Sequence, residues 1–99
     1  MKSIMFVCLG NICRSPIAEG CAKKLANEKL LDIKIASSGT GSWHVGETPC
    51  ANSIKVCKSH HVDISDLRAS QITKQEILEY DLLVALDGNN FKDLKALGA

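Results

Sequence analysis

The chain alternates short, unbroken apolar runs with longer stretches of helical spacing. Ile4-Met5-Phe6-Val7-Cys8 contains no polar residue. A strand with one wet face would alternate, so this run predicts a strand covered on both faces, as in a parallel sheet. Helical spacing follows from Ser15 to about Leu30. Ser15 is the expected N-cap, Pro16 the first helical residue, and Glu19 an acidic group in the first turn. Ile17, Ala18, Cys21, Ala22 and Leu25 form one apolar stripe, with Lys23, Lys24 and Glu28 on the wet side. Ile33 to Ser37 is a second strand. Ser38 to Glu47 carries three glycines and is a loop. Thr48-Pro49 opens a helix to about Ser59, with Pro at its first position. Thr73 and Glu76 have the spacing of a capping box, which starts a short third helix. Asp81 to Leu86 is a third buried strand. Asn89 or Asn90 is the expected cap of a last helix, with Phe91, Leu94 and Leu97 on one face and Gly98 at its end. The order predicts a three-layer, doubly wound α/β fold around a parallel sheet. Three strands are few for such a sheet, and a fourth is expected.

Composition narrows the classes. Ninety-nine residues with 45% apolar content suit one small domain over residues 1–99. A formal net charge of +1 and no basic run argue against nucleic acid or an anionic membrane as partner. The run from Ile4 to Leu9 is too short for a secretory signal, and nothing approaches the roughly 18 apolar residues of a membrane span. The five cysteines (Cys8, Cys13, Cys21, Cys50, Cys57) are odd in number. They are expected to be mainly reduced thiols in a cytoplasmic protein. No zinc spacing is present, and the adjacent His60 and His61 point different ways. No metal and no cofactor is therefore expected.

The chemistry concentrates in Cys8-Leu9-Gly10-Asn11-Ile12-Cys13-Arg14-Ser15-Pro16, between the first strand and first helix. Cleaving a phosphoester covalently needs a strong nucleophile and fixed positive potential around the phosphate oxygens. Residues Leu9 to Arg14 can curl so that their N–H groups face inward as an anion nest. The following helix adds its positive end, and Arg14 can grip two oxygens in its planar fork. These features favour a thiolate at Cys8. Gly10 permits a tight loop, and Asn11 tolerates φ > 0. The Ser15 hydroxyl can hydrogen-bond the sulfur and stabilise it as a leaving group. Gly41 to Thr48 nearly spells a nucleotide-binding loop, but Glu47 stands where the essential lysine would be.

Val7-Cys8-Leu9-Gly10-Asn11-Ile12-Cys13-Arg14-Ser15-Pro16-Ile17-Ala18-Glu19 resembles the signature of the low-molecular-weight protein tyrosine phosphatases. The likeness continues through Gln71 to Lys74 and Asp81 to Leu94. It implies a four-stranded parallel sheet and hydrolysis of phosphotyrosine, in a protein or a small aryl phosphate, through a phosphocysteine. Cys8 would be the nucleophile and Arg14 the phosphate clamp, in a binding loop of Leu9, Gly10, Asn11, Ile12, Cys13, Arg14 and Ser15. Asn11, Ser15 and Ser37 would support that loop, although Ser37 also reads as an ordinary strand-end hydroxyl. Trp43 would wall the substrate ring or fold back on the protein's own surface. Cys13 would be a reversible disulfide partner of Cys8, or a loop residue contributing only its N–H.

The same resemblance implies a later segment with an Asp-Pro-aromatic acid, the fourth strand and a last helix. No residue here matches that acid, because only Pro16 and Pro49 occur and neither follows Asp. The chain is therefore expected to lack the C-terminal part of the domain, and self-association through the uncovered sheet edge is expected. Asp87, near the site, reads as a helix cap. Two alternatives stay open. One is an arsenate reductase of the related fold, with Cys50 and Cys57 sharing a helix face. The other is a non-catalytic phosphate-binding module.

Overall fold

The computed structural model describes residues 2–98. Among them, three strands and four helices run β1 (Lys2–Cys8), α1 (Arg14–Glu28), β2 (Ile33–Gly39), α2 (Ala51–Ser59), α3 (Lys74–Glu79), β3 (Leu82–Ala85) and α4 (Gly88–Ala96). The strands form one parallel sheet in the order β2-β1-β3. The all-apolar run of β1 is explained by its central place, with a neighbour on each edge and helices on each face. On one face Met5 and Val7 pack with Ile72, Leu94 of α4 and the half-buried Ile77 of α3. On the other, α1 packs on β1 and β2, and α2 packs on α1. The fold is doubly wound α/β.

Several helix starts differ from the sequence reading. The N-cap of α1 is Cys13, not Ser15, and Glu19 lies beyond the first turn. Ser15 is drawn into the helix because its hydroxyl is used by the sulfur of Cys8. Pro16 still falls among the first four positions, where a helix has no use for the missing N–H. Likewise α2 begins at Ala51 with Cys50 as N-cap, so Pro49 precedes the helix. The cap of α4 is Asp87, whose carboxylate accepts the Asn90 N–H at 2.8 Å. The Thr73–Glu76 capping box forms in both directions.

The buried face of α1 also departs from the apolar stripe. Cys21 and Leu25 are exposed, while Ser15, Pro16, Glu19, Gly20 and Ala26 are buried. Gly20 explains the rotation. A Cβ there would lie 2.5 Å from Ile64 and 2.9 Å from Val62, so these side chains seat against bare backbone. That close approach turns Glu19 inward.

The strand order reverses at β1, since the chain first adds β2 on one side and later β3 on the other. In open parallel sheets the crevice at the carboxyl ends of such strands receives ligands. Cys8 ends β1 there.

Candidate active site

Cys8 is buried at 4% exposure, and its sulfur faces two partners. The Asn11 N–H donates to Sγ at 3.2 Å, and the Ser15 hydroxyl lies 2.9 Å away. Asn11 adopts the left-handed backbone expected of it, with φ of 58°. That turn places its amide at the centre of the loop. Its Nδ2 donates to Ser15 Oγ at 2.7 Å and Ser37 Oγ at 2.9 Å, and its Oδ1 accepts the Ser70 N–H at 2.9 Å. Ser37 in turn donates to Glu19 Oε1 at 2.5 Å, and Lys23 Nζ meets the other oxygen of Glu19. A buried polar network holds its shape only when every member is paired, as here.

The backbone just after β2 rails the loop in place. Thr40 N–H donates to the Cys8 carbonyl and Gly41 N–H to the Leu9 carbonyl, both at 2.9 Å. This needs Gly39, because a Cβ there would sit 2.7 Å from the Leu9 carbonyl oxygen. From the opposite side comes Asn90 of α4. With its amide nitrogen toward Asp87 Oδ1 at 3.1 Å, its oxygen accepts the Leu9 N–H at 3.3 Å.

Arg14 is the first residue of α1, so the guanidinium and the helix N-terminus stand over the same space. Its Nη2 donates to Asp87 Oδ2 at 2.9 Å, with both side chains partly exposed. The Asn90 N–H and the Arg14 guanidinium hold the Asp87 carboxyl below the usual carboxylate range. Asp87 is therefore an acceptor, cap and tether, as its cap reading anticipated.

A cavity of about 180 Å³ opens over the loop, lined by Cys8, Leu9, Gly10, Ile12, Cys13, Arg14, Trp43 and His44. Trp43 lines this cavity, and its ring lies against Gly41, where a Cβ would be 1.8 Å from it. His44 also lines it. Its Nδ1 pairs with Glu47 Oε2 at 2.8 Å, so the carboxylate of the rejected nucleotide loop is spent on an imidazole.

The description "Low molecular weight phosphotyrosine protein phosphatase" belongs to the family whose sequence profile matches residues 3–99. The chain belongs to this family. It is 36% identical to the low molecular weight protein-tyrosine-phosphatase YfkJ of Bacillus subtilis, over 98% of this chain and 64% of that protein. To the low molecular weight phosphotyrosine protein phosphatase of Sus scrofa it is 39% identical, over 98% and 62%. The crystal structure of YfkJ superposes with a TM-score of 0.96, covering 99% of this chain and 63% of that one. A drosophila arginine phosphatase superposes at 0.92 with 34% identity, covering 98% and 61%. The chain thus spans less than two thirds of the length of each of these proteins.

Cys13 is bonded to Cys50, the two Cα atoms 5.3 Å apart. The reason is the facing of two helix N-caps, since the Cys50 N–H also donates to the Ile12 carbonyl at 2.6 Å. Three of the five cysteines, Cys8, Cys21 and Cys57, are free thiols beside this one disulfide. Cys50 and Cys57 form no pair. Cys57 is buried with Val62 and Ile64, where burial and nearby Cys21 push its thiol up. Among the described residues no cluster of three or more His, Cys, Asp or Glu could hold a metal, and no helix is long and apolar enough to cross a membrane.

Glu19, Gly39, Ser70 and Asn90 also belong to the site, and the sequence reading gave none of them that role. The glutamate carried a signal in hindsight, as a carboxylate on the same helix face as Pro16 and Gly20.

Proposed function

We propose that the chain carries the phosphate-binding and nucleophilic machinery of a phosphotyrosine phosphatase. The observation that supports this best is the sulfur of Cys8, held on the cavity floor by the Asn11 N–H and the Ser15 hydroxyl beneath Arg14. A phosphate entering the cavity draws the Arg14 fork from Asp87 onto two of its oxygens. Cys8 then attacks phosphorus in line. The S–P bond forms as the P–O bond to the phenol breaks, and the phenolate leaves with a proton from solvent or an acid. Water attacks the phosphocysteine, phosphate departs, and Ser15 donates to the departing thiolate.

The substrate class follows from the lining. Ile12 and Trp43 offer an apolar edge and an aromatic face, and among the described residues no carboxylate lines the cavity to meet a guanidinium. An aryl phosphate fits better than a phosphoarginine, the substrate class implied by the name of the drosophila relative. Nothing in the site favours arsenate reduction, because Cys50 is bonded to Cys13 and Cys57 lies in a separate cluster.

Among the described residues no carboxylic acid lines the cavity, and beside Cys8 and Arg14 the remaining ionisable lining side chain is His44. General-acid assistance is typically worth about 10²–10⁴-fold. Turnover should therefore rise steeply with the acidity of the leaving phenol. Rapid quench with p-nitrophenyl phosphate tests the reading. A burst of p-nitrophenol with phosphate trapped on Cys8, absent in Cys8→Ser, is expected. Phosphate binding without any trapped phosphocysteine would instead mark a binding module.

A further inference from the structure

Glu19 is a carboxylate almost withdrawn from water, its side chain 8% exposed. The close seat of Ile64 and Val62 on Gly20 turns it inward, behind the phosphate loop. A buried carboxylate is costly unless a cation and hydrogen bonds compensate it. Each oxygen of Glu19 has one partner among the described residues. Oε1 accepts the Ser37 hydroxyl at 2.5 Å, and Oε2 meets the ammonium of Lys23 one turn along α1. Exposed pairs at this helical spacing contribute little. Here one partner is buried, so loss of Lys23 leaves a charge that water does not reach. That charge stands close behind an anion site. Hydrogen bonds run from Glu19 through Ser37 Oγ to the Asn11 side chain, and the Asn11 N–H donates to the sulfur of Cys8. The curled N–H groups, the start of α1 and Arg14 favour negative charge in the loop. An uncompensated carboxylate behind it opposes them through a poorly screened interior.

We infer that Lys23 is a positioning residue of the phosphate site. Its ammonium cancels the buried charge of Glu19, which then anchors Ser37 and Asn11 without repelling the anion that the loop receives. Lys23 does not line the cavity, so it acts through Glu19 and not on the ligand directly. The neighbouring Lys24 is a built-in control. It carries the same charge on the same helix, but its Nζ donates to the His60 carbonyl at 3.0 Å, away from the loop. This role deepens the phosphate-binding part of the proposed function and rests on it.

The test compares Lys23→Gln, Lys24→Gln and the double variant Glu19→Gln/Lys23→Gln with the parent 99-residue chain. Glutamine matches lysine in helix propensity, and in place of Glu19 it keeps an oxygen for the Ser37 hydroxyl. Calorimetric titration with inorganic phosphate is the first readout. Lys23→Gln should bind about tenfold more weakly than the parent, the effect of one poorly screened charge on a dianion. Lys24→Gln should stay within about twofold, because solvent screens the charge it loses. The double variant should recover to within about threefold of the parent, because the buried charge goes with its partner. Equal losses in Lys23→Gln and the double variant would show that Lys23 acts by packing alone, and would overturn the inference. Equal binding by Lys23→Gln and Lys24→Gln would do the same. Urea unfolding covers a variant that does not fold. Folding of the double variant but not of Lys23→Gln would support the role, and failure of both would refute it. The second readout is the alkylation rate of Cys8 by uncharged iodoacetamide at neutral pH, located by mass spectrometry. It should slow in Lys23→Gln and recover in the double variant. A parent that binds no phosphate, in a series that still gives this alkylation pattern, would sink the functional reading and leave the positioning role standing. Equal alkylation rates in all four proteins would overturn the role itself.

Discussion

Asn11 is the residue on which the loop depends most, and its two roles can be separated by substitution. Its side chain makes hydrogen bonds to Ser15, Ser37 and the Ser70 N–H. Its backbone sits at φ of 58°, where a Cβ-bearing residue other than Asn or Asp is strained. Asn11→Gly removes the hydrogen bonds and keeps the backbone unstrained. At about 1 kcal/mol net for each bond, the loss is about 3 kcal/mol. Asn11→Ala adds about 1 kcal/mol of left-handed strain, for about 4 kcal/mol in all. The loop can open locally without global unfolding, so the loss divides between stability and ligand affinity. If all of it falls on the loop, phosphate affinity drops by about 10²-fold in Asn11→Gly and further in Asn11→Ala. Calorimetric titration with inorganic phosphate, beside urea unfolding of each variant, measures the two shares. The reasoning predicts the order parent, Gly, Ala in the summed losses. Variants within about twofold of the parent in affinity, with unchanged unfolding midpoints, would refute it.

Gly39→Ala drives a methyl group against the Leu9 carbonyl and the Asn11 N–H, both backbone, so no rotamer relieves it. A cost of about 1–3 kcal/mol is expected, with weaker phosphate binding. Gly88→Ala, where a Cβ meets open space in α4, should be neutral or stabilising in the same unfolding assay. Asp87→Asn keeps an acceptor for the Asn90 N–H and removes the charge that competes for Arg14. Phosphate binding should tighten about two- to fivefold, read by the same titration. Asp87 and Asp63 are both held below the usual carboxylate range, Asp63 by the Ser65 hydroxyl and N–H. Their stabilisation is present above the unfolded-chain value of about 4 and is lost as pH falls through the lower folded values. Urea midpoints should therefore fall on acidification below about pH 4, and less steeply in Asp87→Asn than in the parent.

Features whose physics is local can be read from the residues alone. An unbroken apolar run marks a strand buried on both faces, and β1 is that strand. A capping box needs only Thr73 and Glu76 three positions apart. The curl from Cys8 to Arg14 lies within one loop, so its spacing, its left-handed Asn11 and its following helix were legible together. Tertiary structure decided what brings distant segments to that loop. The order β2-β1-β3 sets Gly39 and Thr40 beside Cys8 and Leu9, and the segment after α2 carries Ser70 to Asn11. Periodicity placed Cys21 and Leu25 on the covered face of α1. The seat of Ile64 on Gly20 rotated the helix and buried Glu19 instead. Cys13 and Cys50 stand 37 residues apart, and only the packing of α2 on α1 turns two capping cysteines toward each other. Local pattern carries burial and backbone conformation, because both depend on near neighbours. Which polar side chains meet depends on strand order and helix rotation, which the whole core sets.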